Sequence, residues 1–320
     1  MTGYRRVMPF REALASFCAL HNETMNVWTH AVGAATFLAL AVYVAAGGVT
    51  VTAAEAADVM ATTVEAAEDS PVVPVIEHAA HAMHDLVIEA MPRLAQLHID
   101  DGASVMDPVA AVAAAAKVPT WPILVFLASA ITLLLASASY HLPHIVRRAW
   151  FDRLSKLDYA AIAVLIAGSS VPALYYAFYC APGVMAFYLA LNFTTCGTTL
   201  VVGLHPRFAD LKYRLVRMST FIATGLLAGV PFVHMLIGTD LQVGEAVYGL
   251  LLMGALYISG ALLYGFRIPE RWAPGRFDLF GASHQLFHIA VVAAAAVHYL
   301  TVVSHYRWRT HHAQCAAVSS

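Results

Sequence analysis

Pro119-Thr-Trp121-Pro-Ile-Leu-Val-Phe-Leu-Ala-Ser-Ala-Ile-Thr-Leu-Leu-Leu-Ala-Ser137-Ala-Ser-Tyr140-His141 is a run of 23 residues with no Asp, Glu, Lys or Arg. A bilayer core needs about 20 residues of helix. The run lacks the polar/apolar alternation of a spanning strand, so a helix is the form that satisfies its backbone in lipid. Trp121 stands at one end, where interfacial aromatics belong. Ser137 and His141 stand one helical turn apart at the other end, on one face.

Six further stretches are comparably long and apolar: roughly 29–48, 159–179, 183–203, 218–239, 245–265 and 281–302. The whole chain is 60% hydrophobic and 12% charged, where soluble domains carry about 25% charge. These readings predict an all-α integral membrane protein, a seven-transmembrane helix bundle, multi-pass in the plasma membrane or an internal membrane.

Charge sets the orientation. Arg5, Arg6 and Arg11 precede the first span, and Arg147, Arg148, Arg153 and Lys156 lie between the second and third. Arg207, Lys212, Arg214 and Arg217 lie between the fourth and fifth, and Arg267, Arg271 and Arg276 between the sixth and seventh. These are fourteen of the eighteen basic residues, and Arg93, Lys117, Arg307 and Arg309 fall on the other side. The positive-inside rule then predicts a cytosolic N-terminus and an exoplasmic C-terminus, a split that an even number of spans cannot give.

Residues 1–28 form a cytosolic segment without the pattern of a cleavable leader, so the first span is expected to act as its own targeting signal. Leu14, Phe17, Cys18 and Leu20 recur at helical spacing beside Arg11 and Glu12, as in a short interfacial helix. Residues 49–118 form an insertion, exoplasmic by orientation, with eleven acids against Arg93 and Lys117. Ile76, Ala80, Met83, Val87, Ala90 and Leu94 predict an amphipathic helix there. His78, His81 and His84 step by three and drift around a helix, so they read as solvated surface histidines, although His81 and Asp85 share a face. Residues 303–320 are expected as an exoplasmic tail.

The chemistry concentrates at one depth. Span two delivers Ser137 and His141 to its cytosolic end, span three starts there with Asp158-Tyr159, and span seven enters from there with Ser283-His284-Gln-Leu-Phe-His288. A single His-x3-His pair is weak evidence for a metal. Three helix ends converging on one level are stronger, because packing alone leaves an acid and three imidazoles at the edge of hydrocarbon without an account. At the mouth of span one, Glu23, Asn26, Thr29 and His30 are turn-spaced, as helix caps are and as supports of a polar site are. His234 and His298 lie in the outer halves of their spans and are expected to be hydrogen-bonded core residues. Pro172 and Pro231 are expected to bend spans three and five. Cys180 and Cys315 fall on the exoplasmic side and can meet, Cys18 is cytosolic, and no cysteine stands at the histidine level.

The run Glu23-Thr-Met-Asn26-Val-Trp-Thr29-His30 resembles the first signature of the progestin and adipoQ receptor family, which includes haemolysin III. The likeness is closest to adiponectin receptors, through Ser-Lys-Leu-Asp158-Tyr159, Val171-Pro-Ala-Leu-Tyr-Tyr-Ala-Phe-Tyr-Cys180, Arg267-Ile-Pro-Glu270-Arg271, Phe277-Asp278 and Ser283-His284-Gln-Leu-Phe-His288. It covers about 12–48 and 119–303. The resemblance implies a seven-helix bundle with a cytosolic N-terminus and zinc held by His141, His284 and His288. It also implies that Asp158 holds the water at the metal and that Ser137 supports the site. The long acidic insertion and the short N-terminal segment depart from the family pattern.

Three protein ligands leave zinc a fourth position, the pattern of catalytic sites. An acid beside that position serves as general base and then as proton donor to a leaving amine. At the cytosolic headgroup level this predicts hydrolysis of a membrane lipid, and the resemblance implies ceramide-like amides cleaved to fatty acid and sphingoid base. The competing readings are a signalling receptor for an exoplasmic protein or steroid with structural zinc, and a haemolysin-like pore or metal transporter. Transport requires polar groups along a path through the midplane, and His234 and His298 alone are a thin supply. No nucleic-acid partner is expected.

Overall fold

A computed structural model describes residues 8–49, 118–142, 148–208, 211–238, 244–311 and 315. The expected amphipathic helix over Ile76–Leu94, the histidines His78, His81 and His84, and most of the acidic insertion lie outside these residues. The described chain is all helix, with turns and loops and no strand. Its helices are α1 (Phe10–Ala15), α2 (Thr24–Ala45), α3 (Trp121–His141), α4 (Arg148–Ala177), α5 (Pro182–Leu204), α6 (Arg214–Ala228), α7 (Val230–Gly238), α8 (Gly244–Phe266) and α9 (Ser283–His311). Among the described residues seven spans are long and apolar enough to cross a membrane, α6 and α7 together making the fifth. The protein is a multi-pass membrane protein.

The bundle is built around α9. Of its spanning stretch 78% is buried inside the protein, against 17% for each of α5, the α6–α7 pair and α8. Those outer helices turn side chains such as Phe187, Val201, Leu226 and Leu251 outward, 58–67% exposed, as a lipid-facing surface does. Lipid provides no hydrophobic force between helices, so their association rests on close packing of small residues. On α8, Gly249 backs directly onto Thr301, and a Cβ added at Gly260 would lie 2.7 Å from Ala290 Cβ, which draws α8 tightly along α9.

Two helices overrun, by about ten residues, the apolar stretches that predict them. α4 starts at Arg148, ahead of the predicted 159, because the charged turns up to Lys156 continue the same helix into the interface. α9 runs on to His311, past the predicted 302, and carries Arg309 into the protein. There Arg309 donates from Nε to Tyr176 O at 3.0 Å and from a terminal nitrogen to Ala177 O, covering carbonyls left open at the end of α4. Beside this contact Cys180 and Cys315 are joined in a disulfide, with Cα atoms 5.4 Å apart.

Pro172 lies inside α4, which remains one helix. Near Pro231 the fifth span breaks, at Gly229, and Pro231 falls in the first turn of α7, where a missing N–H costs nothing. At the other end of the molecule α1 and the following turn lie against the starts of α2 and α4. Trp28 Nε1 donates to Phe17 O at 2.9 Å, and Phe10 packs on Trp150. Leu14 and Leu20 stay about half exposed, which suits a segment in the interfacial layer.

Candidate metal centre

Four helices bring polar residues to one end of the bundle: α3 ends there with His141, α9 begins there with His284 and His288, α2 begins there with Asn26 and His30, and α4 passes with Asp158. One turn apart on α9, His284 and His288 share a face. His284 Nε2 lies 3.1 Å from His141 Nε2 and 3.1 Å from His288 Nε2, and ligand atoms of the three rings all lie within 4.8 Å of one another. His141 and His288 are buried, and His284 nearly so.

The outer nitrogens decide the tautomers. His141 Nδ1 faces the Glu23 carboxylate at 2.8 Å, and His288 Nδ1 faces the Asn26 carbonyl at 3.2 Å. Both partners are acceptors, so each Nδ1 carries the proton and each Nε2 turns a bare lone pair inward. Both of these nitrogens lie 3.1 Å from His284 Nε2, so one cation among the three rings would meet lone pairs aimed at it from at least two of them. Imidazole nitrogens about 2.0–2.1 Å from a tetrahedral zinc stand about 3.3–3.4 Å from one another. Two of the three separations are thus within a few tenths of an ångström of that spacing, and the donor set is of the kind that could hold a metal ion such as zinc.

Around the rings a further layer fixes geometry. Asn26 Nδ2 donates to Glu23 Oε2 at 2.7 Å, so one carboxylate holds both His141 and the first turn of α2. His30 stacks on His288, centroids 3.8 Å apart and planes 16° from parallel. The start of α9 is held by Glu270, which accepts from the Ser283 backbone N–H at 2.8 Å and from the Ser283 hydroxyl. Gln285 adds bonds to Asn22 O and Leu279 O. Asp158 faces the Ser137 hydroxyl and the His141 ring. By area it is half-buried only because it opens onto an internal cavity.

That cavity has a volume of about 1230 Å3. His141, His284, His288, Asp158, Ser137 and Glu23 line one end, and Leu165, Ile166, Phe232, Val233, Leu250 and Val291 are among its apolar walls.

The structure thus brings together the five predicted site residues, Ser137, His141, Asp158, His284 and His288. Of the turn-spaced ladder, Glu23, Asn26 and His30 join the site, whereas Thr29 bonds back to Met25 O at 2.6 Å. Glu23 occupies the cap position of α2 but makes no side-chain capping bond. Glu270 is absent from the predicted site; its position in the Arg267-Ile-Pro-Glu270-Arg271 run was the available signal. His234 bonds the Tyr188 hydroxyl at 2.9 Å and His298 the Ser169 carbonyl at 2.9 Å, and neither joins the histidine cluster.

A sequence profile described as Haemolysin-III related matches residues 18–299, which include every residue of this cluster. The chain belongs to the haemolysin-III related family. Within that family it is 36% identical to heptahelical transmembrane protein 4 of Arabidopsis thaliana, over 96% of this chain and 84% of that protein. It is 37% identical to heptahelical transmembrane protein 5 of the same plant, over 92% of this chain and 83% of that one. The adiponectin receptor protein of Drosophila melanogaster is 45% identical over half of this chain and 37% of its own length.

Proposed function

We propose that this haemolysin-III related protein is a zinc-dependent hydrolase of membrane-lipid amides, releasing a fatty acid from a ceramide-like substrate. The observation that carries the reading is the inward convergence of three imidazole nitrogens beside an acid, at the polar end of a large apolar cavity. Zinc held by three imidazoles with a fourth position open is a Lewis acid that polarises a carbonyl and acidifies water.

The chain's own residues supply the rest. His141, His284 and His288 hold the ion, and Glu23 with the Asn26 carbonyl keeps two of these rings in the binding tautomer. Asp158, oriented by Ser137, takes the proton from the water that attacks the amide carbonyl and returns it to the departing amine. The products are then a carboxylic acid and an amine, with the elements of water added across the C–N bond. The apolar walls take the acyl chain. With the basic loops in the cytosol, the scissile bond lies at headgroup depth in the cytosolic leaflet.

The competing reading is a signalling receptor for a protein or steroid with structural zinc. It draws on the eleven acids of 49–118 and on the word receptor in the name of the Drosophila relative. The two separate cleanly in one experiment. Purified protein in detergent is assayed for zinc by elemental analysis and for cleavage of N-acyl sphingoid bases, with and without chelator. The expected result is stoichiometric zinc and chelator-sensitive release of fatty acid, both lost in a His141→Ala, His284→Ala, His288→Ala triple variant. Zinc without cleavage above that variant would move the assignment to the receptor.

A further inference from the structure

Along the cavity that begins at the histidines lies a second set of polar groups. Ser169 and Ser170 of α4, Tyr257 of α8 and His298 of α9 all line it. His298 is 2% exposed, its Nε2 meets Ser169 O at 2.9 Å, and its Nδ1 has no hydrogen-bond partner among the described residues. The Tyr257 hydroxyl, also buried, has none either. An orphaned buried polar atom is costly, and of the orphaned atoms whose residues line this cavity, those of Tyr257 and His298 lie far from the histidine end, among apolar walls.

Depth follows from the helices. Ten residues separate His288 from His298 on α9, which is about 15 Å at the helical rise. Eleven separate Asp158 from Ser169 on α4, about 16 Å, so two helices independently put the second set at the same depth. On α8 the contacts of Gly249 with Thr301 and of Gly260 with Ala290 set the register and place Tyr257 level with Ala293. A helical side chain leans toward its own N-terminus, which on α8 carries the Tyr257 hydroxyl deeper, toward the level of His298.

The donor and acceptor pattern is specific. The Ser169 carbonyl accepts, so His298 Nε2 carries the proton and Nδ1 is a bare acceptor. Tyr257 offers an O–H. A ligand group that satisfies both must donate and accept, which a hydroxyl does and a ketone or an unsubstituted methylene does not. We propose that this level of the cavity is a polar subsite for a hydroxyl carried on the acyl chain, so that the preferred lipids are mid-chain hydroxylated. An extended chain advances about 1.2 Å per bond, and about 15 Å from the histidine end therefore places that hydroxyl near carbon 12. The proposal rests on the reading that the histidine end receives the acyl carbonyl.

The test is equilibrium binding of octadecanoic acid and its 2-hydroxy, 12-hydroxy and 12-oxo forms to the purified full chain in detergent. The 12-hydroxy acid is expected to bind about tenfold more tightly than the unsubstituted acid, the range for pairing otherwise orphaned buried groups. The 2-hydroxy and 12-oxo acids gain no such advantage. Tyr257→Phe removes a hydroxyl that bonds nothing described in the protein, so it should fold, and it should bring the 12-hydroxy to unsubstituted ratio close to one. His298→Phe should do the same. Equal affinities in the wild type, a ratio that survives both substitutions, or binding of none of the acids would overturn the proposal. Binding needs no turnover, so the failures are distinguishable: a tenfold ratio without amide cleavage sinks only the hydrolase reading, and cleavage with equal affinities sinks only this one.

Discussion

Glu23 is the residue whose removal tests the metal-site geometry most directly. Its Oε2 lies 2.8 Å from His141 Nδ1 and also accepts from Asn26 Nδ2 at 2.7 Å, and its side chain is only 17% exposed. In Glu23→Ala, His141 keeps its place at the end of α3 but loses the acceptor that holds the proton on Nδ1. The ring is then free to carry the proton on Nε2, where it blocks the ion. Loss of such a supporting partner typically lowers metal affinity 10–100-fold, which corresponds to about 1.4–2.7 kcal/mol. Asn26→Ala is the control, because Asn26 supports His288 through its backbone carbonyl, which the substitution retains; its affinity should fall less than about tenfold. The assay is competition for zinc against a chromophoric chelator, with His141→Ala as the reference for loss of a ligand. Unchanged affinity in Glu23→Ala, or a loss as complete as in His141→Ala, would refute the assignment of Glu23 as a support for the ligand.

Asp158→Ala should keep zinc, measured by elemental analysis, and lose lipid-amide cleavage by about 100-fold or more, the range for a positioned general base; intact cleavage would remove Asp158 from its role. Gly260→Val should lower thermal stability by about 1–3 kcal/mol through overpacking against Ala290 and Phe287, and an unchanged melting temperature would mean that α8 does not approach α9 this closely. Glu270 lies in the loop ahead of α9, where partial burial raises its pKa but bonds from the Ser283 hydroxyl and N–H, with Arg267 nearby, outweigh this and hold it below the usual carboxylate value. A lowered folded-state pKa contributes stability above the unfolded value of about 4.3 that is lost as pH falls through the folded one; melting curves taken from neutral to acid pH should therefore fall less steeply for Glu270→Gln than for wild type. A protease site placed near Arg148 should be cut from the cytosolic side and one near Asp100 from the exoplasmic side, and the reverse would invert the proposed orientation.

The seven spans, and the common depth of Ser137, His141, Asp158, His284 and His288, are determined by the sequence alone. Hydropathy is a local property, so each span announces itself without reference to its neighbours. A helix rises by a fixed amount per residue, so position in the chain converts to depth in the membrane. The chemical types at that depth, three imidazoles and one acid, already make it the candidate metal site.

Tertiary structure decided what depth cannot encode, namely which helices are neighbours and how each is rotated about its axis. Both depend on small contacts such as Gly249 with Thr301, because lipid gives apolar helices no general reason to choose one partner over another. Glu23 and His141 are 118 residues apart, so the bond that fixes the His141 tautomer exists only once α2 and α3 are side by side. The same holds for Glu270 at the start of α9, and for Cys180 and Cys315, whose pairing requires the ends of α4 and α9 to meet. The polar continuation of α9 past residue 302 was invisible to hydropathy for a related reason: Arg309 is tolerated inside because backbone carbonyls from another helix receive it, and those become neighbours only on folding.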